Sequence, residues 1–283
     1  MLYVPSANDY KWKLSSQQGV RPAAAYGHSV TPGNNVMGTW VQMVAGASLT
    51  EDVWFIMINV NSGAVSAASR DMLIDIGVDP AGGSSYVVKI PYLLASSSAP
   101  YNVSHGGCWF GFPLRIKAGS SIAARAQVNN ATVGTVRVLA WVYGQPRRPE
   151  TTRTGSFVRS FGQTTGSSSG TTTVPGTTAD GTWVQLGSAL AEPLWWWQLG
   201  FGTNDTTMTL AVLHADLSVG SATQKKIIME DQQIIVTAAE QISNPPFTIG
   251  AQEQAKAGDI IYGRLQSSAA ADSLVSMMAY GLG

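Results

Sequence analysis

Short apolar runs alternate with stretches of Gly, Ser, Thr and Pro along this chain, and helical periodicity is nearly absent. Residues 39–44 alternate or nearly so. Residues 53–60 form a continuous apolar run of β-branched and aromatic side chains. Apolar segments follow at 72–78, 86–90, 111–117, 122–128 and 136–143, separated by turn-rich segments such as Asp79-Pro80-Ala81-Gly82-Gly83. Many short strands at this spacing predict an all-β chain built as an antiparallel β-sandwich of jelly-roll type. The same order is predicted again at 182–186, 194–201, 208–213, 225–229, 233–236, 260–266 and 274–280.

Two motifs recur in the same order. Pro-Gly-x4-Gly-Thr-Trp-Val-Gln occupies 32–42 and returns at 175–185. Lys-Ala-Gly-x-x-Ile-x-x-Arg-x-Gln occupies 117–127 and returns at 256–266. The period is far too long for a solenoid or a propeller, so it predicts tandem duplication of one domain. The expected organisation is an N-terminal arm at 1–20, a first sandwich at 21–144, a linker at 145–180 and a second sandwich at 181–283. Residues 156–161 inside the linker are a candidate first strand of the second sandwich, and the arm has the alternative of being the first strand of the first. The repeated residues Trp40, Gln42, Arg125 and Gln127, with their counterparts Trp183, Gln185, Arg264 and Gln266, read as scaffold. Each Arg shares a strand face with the Gln two positions on, and is expected to brace a neighbouring loop or subunit through bidentate bonds.

Composition narrows the function. Charged residues are only 12% of the chain, so the surface is polar but uncharged and suits packing against other subunits. Residues 1–144 carry nine Lys/Arg against six Asp/Glu, 145–180 carry four against two, and 181–283 carry four against nine. That mild dipole would favour head-to-tail contacts between copies. No basic stripe argues for nucleic acid. No run of about eighteen apolar residues argues for membrane insertion, and the first residues lack the pattern of a secretion signal. The single cysteine, Cys108, permits no intrachain disulfide and no cysteine metal site, and is expected to be a buried thiol.

Candidate chemistry is sparse. Gly166-Ser167-Ser168-Ser169-Gly170 has the spacing of a nucleophile elbow but lacks the apolar strand that should precede it. His28, His105 and His214 have no partner at metal-ligand spacing. Glu51 with Asp52, Asp71 with Asp75, and Glu230 with Asp231 are the carboxylates that could pair for glycan hydrolysis. No catalytic, cofactor or metal site is predicted from these. Trp195-Trp196-Trp197 places indoles on both faces of a strand, Trp195 and Trp197 on one and Trp196 on the other. One face is expected in the core and the other against a further chain, with sugar stacking by Trp196 as the alternative. Tyr3, Tyr10 and Trp12 of the arm and Arg147 and Arg148 of the linker are the remaining interface candidates.

The segment Phe112-Pro113-Leu114-Arg115-Ile116-Lys117-Ala118-Gly119-Ser120-Ser121-Ile122-Ala123-Ala124-Arg125 resembles a segment of tailed-bacteriophage structural proteins, in which a strand with P-x-x-I-x-A-G-S leads into one with I-x-x-R. The resemblance implies a head decoration, head-fibre or tail-fibre protein. Such a protein is assembled in the host cytoplasm into the virion, self-associates, usually as a homotrimer, and binds other virion proteins. The second copy departs from the pattern by a polar insertion between Ile249 and Lys256. The expectation is a non-enzymatic virion component without cofactors. The alternatives are a host-glycan-binding module of a tail fibre and, behind it, a glycan hydrolase.

Overall fold

The computed structural model describes residues 13–18, 27–62, 70–97, 108–128, 135–146, 152–164, 169–203, 211–237, 241–243, 253–268 and 275–283. Their regular secondary structure is strand apart from one short 3-10 turn at Gly46–Ser48. Tyr3, Tyr10, Trp12, Arg147, Arg148 and His105 lie outside them, as does most of the 166–170 serine motif.

The first half is a two-sheet sandwich. One sheet has the order β1 (Lys13–Gln18), β10 (Val136–Tyr143), β5 (Phe55–Ser62), β8 (Cys108–Phe112), with β2 (His28–Val30) also on β10. The other joins β3 (Gly33–Asn34) and β4 (Val41–Val44) to β9 (Ser121–Val128), then β6 (Arg70–Asp79) and β7 (Val87–Ser97). Apart from the parallel β3–β9 pair, the ladders are antiparallel.

The same pairings recur in the second half. There β11 (Val158–Phe161), β12 (Thr171–Thr173) and β15 (Trp196–Thr203) pair with β20 (Val275–Leu282). Against them stands a sheet of β13 (Gly176–Thr177), β14 (Val184–Gln185), β19 (Ile260–Ser267), β16 (Ala211–Gly220), β17 (Lys225–Thr237) and β18 (Gln241–Ser243). Residues 13–18 of the expected arm form β1, which adds an edge to the first sandwich. Likewise β11, β12 and β13 claim much of the expected linker for the second.

Alternation explains the cores. On β10, Val136, Val138, Ala140 and Val142 point inward, joined by Ile56, Ile58 and Val60 of β5 and by Cys108, Phe110 and Phe112 of β8. Cys108 is thus a buried core thiol.

The sheet β11–β20–β15 is different, because both its faces are covered. All eight residues of β20 are buried. Met278, Tyr280, Leu282 and Trp196 belong to the first core, whereas Val275, Met277, Ala279, Trp197, Leu199 and Phe201 belong to the second. One sheet thus closes two cores. Small residues let the halves approach: a Cβ on Gly200 would come within 3.3 Å of the Leu94 Cβ, and one on Gly202 would strike the Asp71 carboxylate.

This arrangement corrects the reading of the triple tryptophan. Trp195, Trp196 and Trp197 are 4%, 2% and 0% exposed, so none is available to a sugar or to another chain. The second face is covered by the other half of the same molecule. Trp195 precedes the pleat of β15, which is why it joins Trp196 in the first core rather than sharing a face with Trp197.

Candidate functional site

The outer face of the β10–β5–β8 sheet carries an aromatic layer. The inward residues of these strands are spent on the core, which leaves Phe55 and Met57 of β5, Trp109 of β8, and Trp141 and Tyr143 of β10 on the other side. Strand order makes them neighbours. Trp109 lies opposite Asn59 and Trp141 opposite Met57, so the two indoles come from strands on either side of β5. Their centroids are 4.5 Å apart with planes at 17°, an offset-stacked pair above the central strand. Phe55 meets Tyr143 edge-on at 6.0 Å and 69°. Phe55 and Met57 form a buried floor at 6% exposure each, and Trp54, Trp109, Trp141 and Tyr143 are half-buried around it. Burial pushes the Tyr143 phenol above the ordinary tyrosine range.

A polar rim adjoins this layer. The Arg115 guanidinium lies 4.6 Å from the centroid of the Trp54 ring and donates to Asp52 Oδ2 from Nε at 3.2 Å and from its terminal nitrogen at 2.9 Å. The Ala118 N–H donates to Asp52 Oδ1 at 2.9 Å. That backbone donor first, and Arg115 second, hold the Asp52 carboxyl below its ordinary range. The combination is an apolar, π-faced surface with a fixed carboxylate and guanidinium beside it.

The repeated residues form two equivalent braces. Arg125 donates from Nε to Asp75 Oδ2 at 2.9 Å and from its terminal nitrogen at 2.8 Å, with its guanidinium 4.5 Å from the Trp40 ring. In the second half Arg264 does the same to Asp216 at 2.8 and 2.7 Å, over Trp183 at 4.4 Å, and also reaches Asp180 at 2.7 Å. Asp75 Oδ1 accepts the N–H of Tyr92, and Asp216 Oδ1 accepts that of Asp231. Those two residues have φ of 54° and 50° and sit where the β6–β7 and β16–β17 ladders shift register. The two recurring motifs therefore meet in space, Trp from one and Arg from the other, to pin a β-bulge. Gln127 is buried beside Gly33, while Gln42 is exposed, as is Gln185, whose amide donates to the Gly187 carbonyl at 2.8 Å. Gln266, half-buried, stands opposite Gly176.

The paired carboxylates do not converge. Asp52 and Asp75 each bind an Arg, Asp71 is wholly buried against the second half, and Asp231 lies 3.6 Å from the exposed His214 imidazole. The sequence reading missed the aromatic layer, although outward Trp141 and Tyr143 alternate with inward Val142 in plain view. It also missed Asp75 and Asp216 as a recurring pair.

No protein family matches the chain, and no curated protein does. Solved structures do. PNGase F, a glycosylasparaginase from Flavobacterium meningosepticum, is similar at 9% identity and a TM-score of 0.38, over 90% of this chain and 94% of that one. A peptide-N(4)-(N-acetyl-β-D-glucosaminyl) asparagine amidase is similar at 9% identity and 0.36, over 90% and 96%. A triple-jelly-roll protein of an archaeal virus turret gives 10% and 0.23, over 90% and 59%. Two of these three are enzymes, and the viral likeness is the weaker. The expectation of a non-enzymatic virion component is corrected accordingly: both the virion role and the exclusion of catalysis are withdrawn. Likenesses at these TM-scores transfer no reaction and no site to this chain.

Proposed function

We propose that the protein binds carbohydrate through the outer face of the β10–β5–β8 sheet. The observation that carries this is the half-buried Trp109–Trp141 stack, set among Trp54, Phe55 and Tyr143 and flanked by the Asp52–Arg115 pair. A pyranose ring has one face of C–H groups and a rim of hydroxyls. The C–H face suits the negative face of an aromatic ring, and the hydroxyls suit charged hydrogen-bond partners at the edge. The two indoles brace each other, so little conformational freedom is lost when a ligand settles on them. The sugar-stacking role expected for Trp196 thus moves to a different sheet, because Trp196 is inside the protein.

The test is a glycan array followed by calorimetric titration of the strongest ligand, with Trp109→Ala and Trp141→Ala beside the parent. Saturable binding that drops at least about tenfold in either variant is expected, the loss of roughly one aromatic contact. Binding undiminished in both variants, or an array without signal, overturns the proposal.

A further inference from the structure

We infer that the second half carries a separate site for an acidic sugar, in the groove between the β16–β17 hairpin and the turn at Lys256-Ala257-Gly258-Asp259. The groove has a volume of about 620 Å³, and Thr223, Gln224, Lys225, Lys226, Gln254 and Lys256 line it together with Asp259. That volume lies inside the range of small-molecule sites.

Charge placement points to the ligand. Residues 181–283 contain only four basic residues against nine acidic ones. Arg264 is committed to the brace, and the other three, all the lysines of this half, converge on this groove. Two of them are held in place. The Lys225 ammonium hydrogen-bonds the Ala222 carbonyl and lies 4.6 Å from the Tyr262 ring centroid. Lys226 pairs with Glu253 at 2.5 Å. The Lys256 ammonium has no acceptor among the described residues. Asp259 spends Oδ2 on the Lys256 backbone N–H at 2.8 Å, which fixes the turn. Three ammonium groups against Glu253 and Asp259 leave one positive charge to be matched by a ligand carboxylate. The side chains of Thr223, Gln224 and Gln254 add hydroxyl and amide groups with the donors and acceptors that sugar hydroxyls need.

Turn length explains why the groove exists in this half. In the first half seven residues, 80–86, join β6 to β7 and fold onto the turn before β9. Asp79 accepts the N–H groups of Ala81 and Ser85, both at 2.9 Å, and Ser121 donates to the Gly83 carbonyl at 2.7 Å. The fit there is so close that a Cβ on Gly82 would lie 2.6 Å from the Gly119 oxygen. In the second half only four residues, 221–224, join β16 to β17, and Gly220 stands where the first half has Asp79. The shorter hairpin leaves the space open.

The experiment is calorimetric or NMR titration of the full chain with sodium glucuronate, glucose and sodium sulfate, on the parent, Lys256→Met and Lys89→Met. Saturable glucuronate binding is expected that weakens with added salt, falls about tenfold in Lys256→Met, and is unchanged in Lys89→Met. Glucose should show no binding that responds to salt or to Lys256→Met. The inference fails if glucuronate does not bind, if sulfate binds as tightly as glucuronate, or if Lys256→Met binds like the parent. Because Lys256→Met lies in the other half and should leave glycan-array binding at the aromatic sheet as in the parent, failure here is distinguishable from failure at that sheet.

Discussion

The carboxamide of Gln198 grips the backbone of Gly111, accepting its N–H at 3.1 Å and donating to its carbonyl oxygen at 2.5 Å. Gly111 lies on β8, the edge of its sheet, and turns both backbone groups away from β5. An open edge invites pairing with another chain. Here a side chain from the second half takes the place of a strand, supported by Trp196, whose indole N–H donates to the same carbonyl at 3.2 Å. On the other sheet the Tyr280 hydroxyl donates to the Tyr92 carbonyl at 3.0 Å and accepts the Leu94 N–H at 2.6 Å, on edge strand β7. The halves are joined by polar side chains that complete two sheet edges around a shared apolar layer.

Gln198→Leu should test that junction. It leaves the Gly111 N–H buried without its partner and its carbonyl with the Trp196 indole N–H alone, which costs about 1–3 kcal/mol. Urea unfolding followed by tryptophan fluorescence and by far-ultraviolet circular dichroism measures it. Because one sheet closes both cores, a single transition is expected by both probes in the parent and in the variant. Two separated transitions in the parent would show that the halves unfold independently.

Tyr280 makes an alkaline prediction. Complete burial drives its hydroxyl far above the ordinary value of 10.0, with the Leu94 N–H opposing only in part. An acid whose pKa is raised on folding keeps its proton while the unfolded chain loses it. Its contribution is therefore intact below about pH 10 and is lost as pH rises beyond that. Stability should fall steeply above pH 10, and Tyr280→Phe should flatten the fall while costing about 1–3 kcal/mol at neutral pH from the two unpaired backbone groups. Equal alkaline slopes in the two proteins would remove Tyr280 as the cause.

Strand β10 was legible to the residue, because Val136–Tyr143 is a β-branched and aromatic run whose buried and half-buried residues alternate except at Leu139. Strand β16 was cut short at 213, since His214, Asp216 and Ser218 interrupt its apolar run; they are tolerated because β16 lies between two ladders. Glu230-Asp231-Gln232 looked like a gap between two strands, but it is the bulge of one strand, β17, held by Asp216. The aromatic layer needed the order β10–β5–β8, which no local pattern encodes. Both faces of the triple tryptophan were legible as apolar, but what covers the second face depends on how the halves meet. The lysine groove follows from the length of a turn, and only its charge imbalance is visible in the chain.

The brace at Arg125 predicts a strong asymmetry. Asp75 is 2% exposed at its side chain, so removing the guanidinium leaves a buried carboxylate uncompensated. Arg125→Met should destabilise by about 3–5 kcal/mol, and the double variant Arg125→Met with Asp75→Asn by less than the single one. Arg125→Lys keeps the charge but loses the fork and the stack on Trp40, so it should fall between parent and Met. Chemical denaturation of these proteins together with the single variant Asp75→Asn closes the cycle and gives the coupling. A double variant less stable than Arg125→Met would mean that the ion pair itself is not what pins the bulge.

His28 predicts the acid side. Its imidazole bonds the Met43 backbone, while Nε2 is buried with no hydrogen-bond partner among the described residues. Desolvation is the larger influence and lowers its pKa below the ordinary 6.5, with the Met43 bond opposing. The unfolded chain therefore takes up a proton first as pH falls. The contribution of the neutral imidazole is complete above about pH 6.5 and is lost as pH drops through the folded value. Thermal unfolding between pH 7.5 and 5 should show the midpoint falling, and His28→Asn should shallow that slope although it lowers the midpoint at pH 7.5. A slope unchanged by His28→Asn would assign the acid sensitivity elsewhere.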